Sequence, residues 1–528
     1  MGLLFSAIDA CIVSTSLVTI SISLQDFLHS PWVMLSYLLA YLGFAIGLAK
    51  LSDIYGRRYV LSFSWILFVI SSIVCARATT MTQLIIGRAF QGVGGSGLYS
   101  LSQIILFEAG PSGKPSLMGG LIGVTLAVSY VLGPILGAVI SSTSQWTIIF
   151  WINVPVGVIM VISLYWVAPP EARLGRRGWT AIRKIDFIGN ISVVLACALL
   201  VFALQEAGSY TYAWDSPPIV ATLSISCLSW VVFFAWEIYI SLKHFTHIEP
   251  IFPLRLLARK VYTSCLTCTF CTGYVYLSFL LILPERFQIV NGESALFSGI
   301  HLLPMLGATA FGAFFAGAIS RKQNNTSWTL MAAHAFQLIG ISLMTTLSDT
   351  TTETKAQYGF QVVLGLGFGL AFGAGTMMAS VQSQHQDLAV AQGAVAQARV
   401  LGGAIAIAIC SIVFNKKVTT DLGDAMRPDD INALRHSPTI TSWLPEDAKL
   451  LVQSTYAQAF TSDIYVMIGI AVVGVIASIL TYEKYPPAMP SSQTKEAYGE
   501  EGLSETELRL VNGCQGSGFR HQDASMGS

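Results

Sequence analysis

This sequence predicts an all-α polytopic membrane protein of about fourteen transmembrane helices, on three observations. Only 11% of its 528 residues are charged and 53% are hydrophobic, whereas a soluble globular chain carries about 25% charged residues. That leaves too little polar surface to coat a water-soluble body. The apolar residues come in blocks of about 20, the length needed to cross a hydrocarbon core about 30 Å thick. A helix satisfies its own backbone hydrogen bonds in lipid, so blocks of this length are read as helices.

The first six spans lie at 4–24, 32–50, 59–76, 82–106, 116–140 and 147–168. The first has no basic n-region and is longer than a signal-peptide core, so it is read as a retained span. A charged turn separates the second from the third, and the basic stretch from Ala168 to Lys184 follows the sixth. Two further spans occupy 187–206 and 218–240. Six more lie at 262–283, 294–319, 328–347, 358–380, 391–414 and 463–482. Between the last two, 415–462 is read as an outer loop with a short amphipathic helix near 445–452. The tail 483–528, rich in Ser, Gly and Glu, is expected to be disordered. The chain therefore divides into a six-helix half at 1–168 and a basic connector with two inserted helices at 169–245. A second six-helix half follows at 246–482, and then the tail. Two pseudo-repeated halves are inferred from this count; similarity between them in sequence is faint.

Net charge is zero, so there is no electrostatic case for nucleic acid as a partner. With the N-terminus in the cytosol, the inner connections hold fifteen Lys and Arg, and the short outer ones only Arg77, Arg286 and Lys355. The positive-inside rule then places both termini in the cytosol. The sequons at Asn190, Asn324 and Asn325 fall on the cytosolic side and are expected to be unmodified. Cys265, Cys268 and Cys271 repeat every third residue inside an apolar run. Such thiols pack as small hydrophobes, and no metal cluster is expected.

Four stretches carry chemistry. The turn Ala49-Lys50-Leu51-Ser52-Asp53-Ile54-Tyr55-Gly56-Arg57-Arg58 concentrates an acid, two Arg and a Gly that permits a sharp reversal. Asp53 can pair with an Arg of the same turn; the alternative is positive-inside anchoring alone. In Gly87-Arg88-Ala89-Phe90-Gln91-Gly92-Val93-Gly94-Gly95, Arg88 is expensive in lipid unless it faces the bundle interior and finds a partner. The alternative is an Arg that snorkels to the interface. In the fifth span Pro134 removes a helix hydrogen bond and is expected to bend the helix, while Gly133 and Gly137 make one smooth packing face. Asp9, in the first span, is costly unless paired, hydrated or protonated, and a carboxylate that exchanges a proton is what a proton carrier needs. The alternative is an interfacial Asp. Arg399 is a further intramembrane charge, or else a helix-end charge near the cytosol.

In their order these stretches resemble the major facilitator superfamily. The Asp53–Arg58 turn is similar to its signature gating loop, with Ala49 in place of the leading Gly. The Arg88 run is similar to its fourth-helix motif, where the Arg is implicated in proton coupling. Ser129 to Ala138 is similar to the motif of its drug:proton antiporters, with Ser129 and Ala138 in place of flanking glycines. Ile8 to Val13 matches the first-helix Asp motif in part, Cys11 and Val18 departing from it. Phe150-Trp151-Ile152-Asn153-Val154-Pro155-Val156-Gly157 and Leu401-Gly402-Gly403 extend the likeness. The resemblance implies a major facilitator fold, two six-helix halves plus two extra helices, close to fungal toxin and multidrug exporters of the fourteen-span branch.

It also implies proton-coupled efflux, with Asp9 and Arg88 in coupling and Asp53, Gly56, Arg57 and Arg58 in gating. No enzyme constellation and no phosphate-binding P-loop is present. No cofactor is expected, and a proton gradient is the expected energy source. The expected partners are a small-molecule substrate and the lipid bilayer of the plasma or vacuolar membrane, for a monomer. Siderophore or vacuolar basic amino acid transport is the rival within the fold; scarce intramembrane acids lean against the amino acid. A transporter-like sensor that binds without turnover is the rival outside it.

Overall fold

A computed structural model describes residues 1–109, 115–142, 145–167, 186–209, 211–243, 254–320, 323–347, 355–383, 387–423 and 446–487. Seventeen helices and no strand occur among them. The first group is α1 (Gly2–Ser23), α2 (Pro31–Tyr55), α3 (Arg57–Ala76), α4 (Met81–Ala109), α5 (Pro115–Ser142), α6 (Ile148–Trp151) and α7 (Asn153–Val167). Then come α8 (Phe187–Gly208), α9 (Pro217–Lys243) and the short α10 (Leu254–Leu257). The last group is α11 (Lys260–Ile289), α12 (Ala295–His301), α13 (Leu303–Ile319), α14 (Thr326–Met344), α15 (Ala356–Gln382), α16 (Leu388–Gly423) and α17 (Glu446–Leu480).

Twelve spans are long and apolar enough to cross a bilayer, α6–α7 and α12–α13 each counting as one. The helices α4 and α5, with 29 and 28 residues, match them in length. Arg88, Gln91 and the glycines dilute the hydropathy of α4. Large apolar side chains such as Ile162, Phe311, Phe314, Trp328 and Ile476 stand exposed on the outside. In water this would be a liability; in lipid it is the contact surface.

The helices pack in a repeated pattern. α1 lies on α5 and α4, α2 on α4, and α3 on α4 and α7. In the same order α11 lies on α16 and α15, α13 on α15, and α14 on α15 and α17. The two groups meet where α2 packs on α16, α5 on α13 and α1 on α11. α8 lies against α2 and α16 at this seam, and α9 packs outside it, mainly on α8. Small residues set these approaches. A Cβ on Gly92 would strike the Tyr37 carbonyl, and one on Gly273 the Arg399 carbonyl, so α4–α2 and α11–α16 close to backbone contact.

Several expectations change. The sixth span is interrupted at Ile152 and the tenth at Leu302. Pro155 and Pro304 follow closely, and neither can donate to the carbonyl four residues back, Trp151 or Ile300. In the expected outer loop 415–462, the described residues 415–423 and 446–462 are helix. α16 continues to Gly423, with Lys417 and Asp421 paired one turn apart at 2.8 Å. The last span begins at Glu446, so the amphipathic stretch near 445–452 is its first turns. Arg286, counted above as an outer-loop charge, is buried near the end of α11. The connector after the sixth span, residues 424–445 and the tail beyond 487 lie outside the described residues.

Candidate functional site

The most concentrated polar chemistry lies inside the first group of helices. Asp9 and Arg88 are each 1% exposed. Arg88 Nη1 donates to Asp9 Oδ2 at 2.5 Å and to Gln91 Oε1 at 2.8 Å, and its Nε donates to the Val33 carbonyl at 3.2 Å. The other carboxylate oxygen of Asp9 accepts from Gln91 Nε2 at 2.8 Å and Asn153 Nδ2 at 3.0 Å. Gln91 and Asn153 also reach Ser72 Oγ, at 3.0 and 3.4 Å. The guanidinium lies over the Tyr37 ring, 4.2 Å from its centroid. Five helices, α1, α2, α3, α4 and α7, thus converge on one ion pair. A buried pair persists only when its remaining donors and acceptors are satisfied, and here side-chain amides complete the carboxylate.

Periodicity explains why the sequence delivers these groups together. Arg88 and Gln91 are three apart on α4 and share a face. Asn153 opens α7 at the break before Pro155, which turns its amide toward α1. Asn153, Gln91, Ser72 and Tyr37 had no functional assignment from sequence. Their signal was present for two of them, since both Gln91 and Asn153 stand within the motifs quoted above.

At the turn between α2 and α3, Gly56 has φ +97°, a left-handed conformation that other residues rarely adopt. It lets α3 start at once with Arg57. Arg57 bonds the Ala49 carbonyl at 3.3 Å and Ser52 Oγ, closing the end of α2. Arg58 bonds the Tyr165 carbonyl and lies 5.2 Å from the centroid of its ring, tying the turn to α7. The side chain of Asp53 lies outside the described ones.

Gly133 and Gly137 face α1. A Cβ on Gly133 would lie 2.7 Å from that of Cys11, and one on Gly137 would strike Thr15 Oγ1 and the Ile12 carbonyl. Thr15 and Ser16 donate to the carbonyls of Pro134 and Gly137, at 3.4 and 3.2 Å. α5 therefore braces the helix that carries Asp9.

Arg399 sits between the two groups. Its Nη1 donates to Tyr99 Oη of α4 at 2.9 Å, and its guanidinium lies 4.4 Å from the centroid of the Phe372 ring. With Ala10, Tyr37, Tyr41, Tyr99 and Tyr276 it lines a cavity among α1, α2, α4, α11 and α16. The cavity is mostly apolar and aromatic, with tyrosine hydroxyls and a guanidinium at its edge, the make-up of a small-molecule site. Intramembrane acids are also less scarce than the sequence implied. Glu285 near the end of α11 and Asp463 at the middle of α17 line a second cleft: α11 runs past its expected end at 283 to take in Glu285, and Asp463, expected as the first residue of the last span, stands mid-helix because α17 starts at Glu446.

The sequence model of the Major Facilitator Superfamily matches residues 1–407. The chain is 32% identical over 503 residues to the MFS-type transporter FPY5 of Fusarium mangiferae, covering 93% of this chain and 83% of that protein. It is 28% identical over 483 residues to the rubrofusarin-specific efflux pump aurT of Gibberella zeae, covering 90% and 86%. Among solved structures, a bacterial homologue of the human lysosomal transporter Spinster, inward-facing and unoccupied, aligns with a TM-score of 0.59 at 14% identity. That alignment covers 92% of this chain and 97% of that one, and shows the fold.

Proposed function

The chain belongs to the major facilitator superfamily, and on that premise we propose that it is a proton-coupled antiporter exporting small hydrophobic compounds such as toxins, secondary metabolites or drugs. That it is an integral membrane transporter, and not an enzyme, follows from the family. The finer reading adds that α1–α7 and α11–α17 rock against each other around the cavity at Arg399, exposing it to one side and then the other. The plasma membrane, cytosolic termini and a monomeric state belong to the same proposal.

The observation that carries the coupling is the buried Asp9–Arg88 pair. A proton delivered to Asp9 removes one charge, weakens the pair and frees α1 to move relative to α4. The tyrosine-lined cavity supports an aromatic or otherwise apolar cargo, and the efflux pump among its relatives supports the direction. Arg57 and Arg58, which tie the end of α2 to α7, are proposed to hold one gating state.

The test is export of rhodamine 6G and a panel of hydrophobic toxins from proteoliposomes under an imposed pH gradient. Asp9→Asn and Arg88→Ala are each expected to lower gradient-driven export by about tenfold or more, a loss of at least about 1.4 kcal/mol of coupling. Full gradient-driven export by both variants would falsify the coupling assignment. Steady binding with no accumulation by the unaltered chain would point to a sensor instead.

A further inference from the structure

We propose that Asp463, reached through Glu285, is a second proton-binding site of this transporter, in the α11–α17 group and separate from the Asp9–Arg88 pair. The proposal deepens the proton-coupled reading above and rests on it for its role in transport.

Asp463 is 2% exposed, and neither of its carboxylate oxygens has a hydrogen-bond partner among the described residues. This contrasts with Asp9, whose carboxylate is filled by Arg88, Gln91 and Asn153. Asp463 lines a cleft at the end of the bundle that carries the α1–α2 turn, together with Glu285, Phe414, Asn415, Tyr456 and Phe460. Glu285 is half-buried there and lies within Coulombic reach of Asp463. No Lys, Arg or His lines the cleft among the described residues.

Among the described residues, the groups around the cleft supply no counter-charge. α11 adds the Tyr274 hydroxyl, and α16 adds the Cys410 thiol near Asp463. His334 of α14 packs against Gly474, eleven residues farther along α17 and about 16 Å away along the axis. His301 of α12 pairs with Glu293 at 2.8 Å. Arg286 is not part of the cleft lining. Lys417 of α16 is taken by Asp421.

A buried ionised carboxylate with no donor is costly, and two in one site more so. The charge must be met by something from outside. The oxygens of Asp463 have essentially no accessible surface, so an ammonium group or a hydrated metal ion has no room to reach them. A proton needs none. Glu285, open to the cleft, is placed to pass it inward and to take it back.

The experiment is infrared difference spectroscopy, acid minus alkaline buffer, on the full chain in proteoliposomes with no cargo. A protonated-carboxyl band is expected that Asp463→Asn removes and Glu285→Gln shifts in pH midpoint. Gradient-driven rhodamine 6G export is expected to fall about tenfold in Asp463→Asn, with recovery in Asp463→Glu. Exchange of labelled for unlabelled dye, which needs no proton gradient, should persist in every variant. Survival of the band in Asp463→Asn, or full gradient-driven export by that variant, overturns the proposal. Loss of dye exchange along with gradient-driven export also overturns it, because the acid would then serve cargo or packing. If the band behaves as expected but the unaltered chain shows no gradient-driven export, the site stands and the antiport reading falls.

Discussion

Asp9 draws hydrogen bonds from three side chains on two other helices, Arg88 and Gln91 of α4 and Asn153 of α7. Such a pair is asymmetric in its energetics. Removing one partner leaves the other charge buried and unpaired, at a cost of about 3–5 kcal/mol, whereas replacing both by apolar groups is often nearly neutral. Asp9→Ala is therefore expected to lower the apparent melting temperature in detergent markedly. The double variant Asp9→Ala, Arg88→Met should recover most of that loss while remaining unable to couple to a pH gradient. A single variant as stable as the unaltered chain would show that water or lipid headgroups reach Arg88.

At the level of the element, α1 owes its position to the smooth face of α5. Gly137 sits where any side chain would meet the Ile12 carbonyl, and a backbone atom cannot rotate away. Gly137→Val should push α1 from α5, reducing folded yield by fluorescence-detected size exclusion and abolishing export with it. Gly307 in α13 is the matched control, since a Cβ there meets nothing within 4 Å. Gly307→Ala should leave export unchanged and add up to about 1 kcal/mol through helix propensity. Equal damage from both would mean that the contact of Gly137 with α1 is not what decides, since helix propensity rises in both variants. The same element scale explains the two broken spans. The break at Ile152 places Asn153 at a helix start, where its amide meets Asp9.

Across the whole molecule, the seam between the two groups of helices decides whether the central cavity can open to alternate sides. Gln397 of α16 donates to the Leu42 carbonyl of α2 at 2.6 Å, and Arg399 reaches Tyr99 of α4. One turn away, a Cβ on Gly393 would lie 3.9 Å from the Cβ of Ile46, within the roughly 3.5–4.5 Å that a disulfide requires. The double variant Ile46→Cys, Gly393→Cys should cross-link under mild oxidant and stop rhodamine 6G export, with recovery on reduction. Each single variant should ignore the oxidant. Continued export by the cross-linked chain would mean that α2 and α16 do not part during transport.

Sequence by itself determined the class of this protein, because the bilayer imposes a length and a polarity on every span that can be read residue by residue. It also marked Asp9, Arg88 and Arg399 as buried charges needing partners, because lipid makes such residues expensive. Which partners they take was decided only in three dimensions. Asp9 and Arg88 are 79 residues apart, Arg399 and Tyr99 are 300 apart, and nothing local in either stretch encodes the other. The acids of α11 and α17 stayed hidden for a related reason. Hydropathy locates the lipid-crossing part of a helix and is silent about its continuation: Glu285 lies on the added end of α11, and the added turns before Asp463 place it mid-helix instead of at a helix start.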